Sequence, residues 1–191
     1  MKKKLALELI QQNVKICKKC NLCSTRKNAV PGEGNVNADI VFIGEAPGKN
    51  EDLHGRPFVG AAGKKLDAAL ENSGLARNDV YITNIVKCKP PKNRIPNYEE
   101  KTMCSNYLEH ELSTINPKII CLLGNTAFNT ILEGNEISKN HGKLIYKEKR
   151  TYFVTFHPAA IIYNQKLEKV FKNDIKKLVK TLRKLKSKSV D

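Results

Sequence analysis

Four short runs of apolar, largely β-branched residues punctuate the chain: Ala38–Gly44, Val80–Val86, Lys118–Gly124 and Thr151–Phe156. Gly, Pro or polar residues flank each run, which predicts strands. The runs are nearly continuously apolar instead of alternating, the pattern of parallel strands covered on both faces. Helical stretches are predicted between them: about 62–73, closed by Gly74, about 98–115, stopped by Pro117, and about 126–132, before Gly134. A last helix over about 165–186 places Leu167, Val170, Phe171, Ile175, Leu178, Val179, Leu182 and Leu185 on a 3.6-residue period. An N-terminal helix and cysteine segment occupy residues 1–30. This strand–helix repetition predicts an α/β fold, an open parallel sheet with helices on both faces. There is no internal repeat, and the whole chain, 1–191, is expected to be one domain.

In an open α/β sheet, ligands bind at the carboxyl ends of the strands. The segments there are Gly44-Glu45-Ala46-Pro47-Gly48, Asn84 with Cys88, Gly124-Asn125, and His157-Pro158. A carboxylate, an amide and an imidazole therefore gather on one edge. Of the four histidines, only His157 falls at a strand end; His54, His110 and His141 are expected to be solvated. The glycine-rich loop after the first strand lacks the G-x-x-x-x-G-K-[ST] spacing of a P-loop, as does Gly60–Lys65, and no G-x-G-x-x-G is present. Nucleoside triphosphatase chemistry is thereby disfavoured, and Glu45 is placed as an acid/base or water-orienting group.

Composition changes the picture in two ways. Lys plus Arg number 34 against 19 Asp plus Glu, a net charge of +15 that calls for a polyanionic partner. No apolar run approaches the roughly 18 residues of a membrane span. The Met1-Lys2-Lys3-Lys4 start imitates a signal peptide, but Glu8, Gln11 and Gln12 interrupt its apolar segment, so a reducing intracellular compartment is expected. There, six cysteines point to metal or cluster ligation ahead of disulfides. Cys17-x-x-Cys20 has ligand spacing, Cys88 and Cys104 form a wider second pair, and Cys20-x-x-Cys23 competes with the first. Spacing alone decides neither that competition nor zinc against iron–sulfur. Cys121, inside an apolar strand, reads as a buried small hydrophobe.

Taken in order, Cys17-Lys18-Lys19-Cys20-Asn21-Leu22-Cys23, Pro31-Gly32-Glu33-Gly34, Gly44-Glu45-Ala46-Pro47-Gly48, Glu51-Asp52, Gly55-Arg56-Pro57-Phe58-Val59-Gly60, Thr83-Asn84-Ile85-Val86-Lys87-Cys88, Asn93-Arg94 and His157-Pro158-Ala159-Ala160 resemble the family 4, iron–sulfur uracil-DNA glycosylases of bacteria and archaea. The resemblance implies a three-layer α/β/α sandwich around a central four-stranded, mainly parallel sheet. It implies a [4Fe–4S] cluster on Cys17, Cys20, Cys88 and Cys104, with Cys23 outside it. It also implies hydrolysis of the bond between uracil and deoxyribose, leaving an abasic site, with no lyase step. By position Phe58 resembles the ring that stacks on the flipped base, and Asn84 the amide that reads the uracil edge. The resemblance further implies that Glu45 and Ala46 line the pocket, that His157 stands beside the leaving base and that Glu51 lies near C5. The expected substrate is uracil-containing DNA, met by a monomer in a prokaryotic cytoplasm at the nucleoid. A sliding-clamp interaction has no clear motif.

The chemistry suits these residue types. A base is reached only after flipping out of the stack, and stacking on an aromatic ring offsets that by about 1–3 kcal/mol. An amide donates to O4 and accepts from N3–H of uracil, whereas cytosine offers the opposite pattern. A donor at O2 stabilises the departing anion, and a carboxylate stabilises the oxocarbenium-like sugar and orients water. Such a reaction transfers no net electrons, so a cluster would be structural and DNA-orienting. The loop cations Lys87, Lys89, Lys92 and Arg94 are the expected DNA contacts, ahead of the last helix, whose Lys169, Lys172, Lys176, Lys180 and Arg183 read as a solvated face. Related covalent uracil-DNA-binding proteins carry a reactive histidine in a basic insertion here; Asn93-Arg94-Ile95-Pro96 has none, so turnover is expected. A non-catalytic metal-cysteine nucleic-acid-binding module is the alternative, though it would not need Glu45, Asn84 and His157 at successive strand ends. An electron-transfer protein explains the cysteines but not the charge.

Overall fold

A computed structural model describes residues 2–187. The four predicted runs form parallel strands, β2 (Ile40–Gly44), β3 (Tyr81–Asn84), β4 (Ile119–Leu123) and β6 (Arg150–Thr155). Two antiparallel edge strands extend them, β1 (Glu33–Gly34) beside β3 and β5 (Lys143–Lys147) beside β6, giving six strands in the order β1-β3-β2-β4-β6-β5. The expected four-stranded sheet is thus the parallel centre of a larger one.

Alternate residues of each strand feed opposite layers. Val41, Ile43, Ile120, Leu122 and Val154 pack beneath α1 (Lys2–Ile16), α5 (Tyr98–Ile115) and α6 (Asn125–Leu132). Ile40, Phe42, Ile119, Cys121 and Phe153 pack on α4 (Ala61–Glu71), α8 (Pro158–Tyr163) and α9 (Lys166–Ser187). Helices on both faces are why these strands are apolar throughout, and Cys121 is fully buried among them. Short α2 (Leu22–Thr25), α3 (Lys49–His54) and α7 (Ile137–Asn140) complete the α-helices of the described residues. Among those residues, no helix is long and apolar enough to cross a membrane.

α5 begins where predicted, because Asn97 accepts the Glu100 N–H while the Glu100 carboxylate accepts the Asn97 N–H, a reciprocal cap. It ends at Ile115 with Asn116 left-handed (φ 52°) ahead of Pro117. On α9 the apolar stripe buries Phe171, Ile175, Leu178 and Leu182. Asp174 is buried beside them, satisfied by Thr155 Oγ1 at 2.8 Å and His141 Nδ1 at 2.9 Å. His141 is therefore not the solvated side chain expected: it is half-buried between that carboxylate and the Phe156 ring, 4.8 Å away.

Candidate active site

The carboxyl ends of β2, β3 and β6 converge on a cavity of about 250 Å³, just below the roughly 300–1,000 Å³ range of small-molecule sites. Glu45, Ala46, Glu51, Phe58, Asn84 and His157 all line it. Parallel register brings them together: Gly44 pairs with Asn84 across β2 and β3, and Leu123 pairs with Thr155, two residues before His157, across β4 and β6.

Two glycines permit the approach. A Cβ on Gly44 would lie 2.5 Å from Asn84 Oδ1 and 2.6 Å from Phe58 Cζ. Gly124 has φ +86°, and its Cβ would fall 2.7 Å from that of His157. Asn84 is 2% exposed, yet its Oδ1 has no hydrogen-bond partner. A buried acceptor left so costs about 1–3 kcal/mol, and a ligand donor would repay it.

Phe58 lies in the left-handed region, φ 51°, where a bulky residue is strained. Arg77 holds it there: Nη2 donates to Pro57 O (2.5 Å), and Nη1 donates to Phe58 O (3.1 Å) and Asp67 Oδ1 (2.9 Å). Gly63 is required beneath, since a Cβ would meet Phe58 O at 1.8 Å. Phe58 is a core residue and a pocket wall at once: it is buried in the α4 layer, and its ring stands 5.6 Å from that of His157.

His157 Nδ1 accepts the Ala159 N–H at 3.1 Å, so the proton of the neutral ring sits on Nε2. Burial depresses its pKa to about 4, against a smaller opposing pull from Glu51. At neutral pH it is an uncharged N–H donor. Thr126 Oγ1, at the start of α6, donates to Glu45 Oε2 and orients that carboxylate. Glu51 acts as a clamp: Oε1 accepts from Val59 N (2.9 Å) and Gly60 N (2.8 Å), and Oε2 from Gly48 N (3.1 Å). It thereby fixes the Phe58 loop to the Gly48 loop.

The second cluster is a small cavity lined by Cys17, Cys20, Cys23, Cys88 and Cys104. Arg26 Nη1 donates to Cys88 Sγ at 2.8 Å, and the Lys87 N–H donates to Cys104 Sγ at 3.3 Å. Donors aimed at sulfur suit thiolate ligands. Burial pushes the Cys104 thiol up to about 12 and raises Cys88 and Cys20; metal binding at such thiols would release their protons to solvent. Among the described residues, no three His, Cys, Asp or Glu side chains are arranged to hold a single metal ion.

One expected DNA contact is corrected. Lys87 is 1% exposed, and its Nζ donates to Glu111 Oε2 (2.7 Å), Thr83 Oγ1 (2.5 Å) and Asn84 O (3.0 Å). An amine spent on three internal acceptors cannot reach a phosphate. Arg94 borders the cavity but makes a two-pronged pair with Glu100, at 2.8 and 2.6 Å. The positioning roles of Thr126, Arg77 and Lys87 escaped the sequence reading; only Lys87, set between Ile85-Val86 and Cys88, carried a local signal of burial.

The sequence profile of the Uracil DNA glycosylase superfamily matches residues 31–186, and the chain belongs to that superfamily. Its relatives place it in the type-4 branch. A type-4 uracil-DNA glycosylase of Saccharolobus solfataricus is 47% identical over 186 residues, covering 92% of this chain and 86% of that one. One of Sulfurisphaera tokodaii is 49% identical over 183 residues, with 91% and 83% covered. One of Thermotoga maritima is 42% identical over 176 residues, with 90% and 92% covered.

Proposed function

We infer that this chain is a monofunctional uracil-DNA glycosylase of DNA repair, which hydrolyses the N-glycosidic bond and leaves an abasic site. The observation that carries the reading is the buried Asn84 in the cavity lining, whose Oδ1 has no hydrogen-bond partner and is an acceptor complementary to the N3–H of uracil. Cytosine, which lacks that proton, would leave it unsatisfied. In this reading the flipped base stacks on Phe58, with Ala46 and the Glu51 clamp bordering it. The Nε2–H of His157 donates to O2 as negative charge grows on the leaving base. Glu45, held by Thr126, stabilises the cationic sugar and orients the attacking water.

Cys17, Cys20, Cys88 and Cys104 would hold a [4Fe–4S] cluster, with Cys23 beside it. When bound, that group would supply a structural cross-link and no redox step. Cysteines gathered around one small cavity, with donors aimed at two of their sulfurs, have the donor chemistry such a group needs.

The test is a labelled oligonucleotide with one uracil, run with thymine and cytosine controls and split with alkali. Cleavage at uracil alone, only after alkali, is expected. Glu45→Ala should lower it by roughly 10²–10⁴-fold, and Asn84→Ala should lower uracil release while binding to DNA persists. Binding without cleavage by the cluster-loaded protein would overturn the catalytic reading, and strand breaks without alkali would overturn the monofunctional one.

A further inference from the structure

We propose that a basic groove one helical turn from the base cavity seats backbone phosphates of the DNA strand that carries the target base; this rests on the reading of the chain as a DNA glycosylase. The groove, of about 640 Å³, lies between the end of α1, the segment after α2 and the end of α3. Lys15, Arg26, Lys27, His54 and Arg56 line it, and none of the described residues lining it is acidic.

Two cations on its open face are uncompensated. Lys15 and Lys27 are exposed and enter no ion pair among the described residues. Arg56 shares its guanidinium with Glu33, at 2.8 and 2.6 Å, yet remains 58% exposed. Asp52, the nearest buried acid, is 7% exposed, and its Oδ1 is committed to the Lys27 and Asn28 N–H groups at 2.9 and 3.3 Å. Arg26 turns inward to Cys88 Sγ and to the carbonyls of Lys15 and Cys17, so it shapes the groove instead of presenting charge.

The groove is preformed, which limits the ordering cost of binding. Asn28 Nδ2 donates to Asp52 O (2.8 Å) and Leu53 O (3.1 Å), fastening the Lys27 segment to α3. Gly55, left-handed at φ +67°, turns the chain from His54 toward Arg56. Its position suits a strand threaded past the cavity. Glu51 borders the base cavity and His54 the groove, three residues along one helix, or about 4.5 Å of rise. Phosphates follow one another at about 3.4 Å of axial rise per strand, so a groove reached along this short helix is suited to phosphates flanking the flipped base.

The experiment measures binding of a uracil-free duplex by fluorescence anisotropy against salt, for wild type, Lys15→Gln/Lys27→Gln, and the surface control Lys176→Gln/Lys180→Gln. Each lost phosphate contact removes about 0.9 from the slope of log K on log[salt]. The groove variant should therefore be shallower by about 1.8, and the control should match wild type. Uracil release at saturating DNA should be unchanged in the groove variant, with KM raised. A groove variant with the wild-type slope, or a control that falls as far, overturns the proposal. Wild-type uracil release in the same preparation separates the two readings. Release with an unmoved slope discards the groove alone, while a shallower slope without any release discards the glycosylase activity and keeps the groove.

Discussion

Held against the Phe58 ring, with the Ala159 N–H on Nδ1, the His157 imidazole is kept neutral and keeps its proton on the atom that would face a leaving base. The same burial has a cost in acid. The unfolded chain takes up a proton near the ordinary value of 6.5, whereas the folded ring resists to about 4. Protons therefore favour the unfolded state across this window. The contribution is undiminished above pH 6.5, is lost as pH falls, and is gone below about 4. At about 1.4 kcal/mol per unit the loss approaches ~3 kcal/mol. Denaturant unfolding of wild type and His157→Asn between pH 7 and 4 should converge, the variant losing less stability. Parallel curves would remove this imidazole as the cause.

Among the elements, the segment after β3 is joined to α5 by a charge pair away from water: the Lys87 and Glu111 side chains are 2% and 0% exposed. Glu111 also accepts from Gly32 N (3.0 Å) and Thr83 Oγ1 (2.8 Å). Breaking such a pair strands a charge, at about 3–5 kcal/mol. Lys87→Met should lose that much in urea unfolding, and Lys87→Met/Glu111→Leu should recover part of it. Because Lys87 Nζ also holds Asn84 O, the single variant should raise KM for uracil-containing DNA as well. The physics also explains which elements were legible. The parallel strands announce themselves because both faces are buried, and α5 because its cap and stop are local. β5 is hidden by its exposed Lys143, Leu144 and Tyr146, and β1 by having two residues. Glu45, Asn84 and His157 were readable as strand-end positions, whereas Glu51, in α3, and Phe58, in a loop, were marked only by the resemblance. Thr126 and Arg77 were not, because their partners lie distant in sequence and nothing local marks either as a contact.

For the molecule as a whole, the cysteine cavity joins three segments distant in sequence: the stretch after α1, the stretch after β3, and α5. A group bound there would act as a cross-link, typically about 2–5 kcal/mol when such a constraint is removed, or roughly 5–15 °C in a chain of this size. Oxidative chelation should bleach the visible iron–sulfur absorption and lower the unfolding temperature by that amount. Cys88→Ser should abolish the absorption and Cys23→Ser should keep it; unchanged stability after bleaching would deny the cross-link.

The sheet also ends in a particular way. β1 offers two residues to a newcomer, and β5 closes the other side with a lysine at each end, Lys143 and Lys147. Short or lysine-bearing borders oppose strand addition between copies. Crowded along one polyanion, these molecules are guarded against seeding fibrous aggregates of their own.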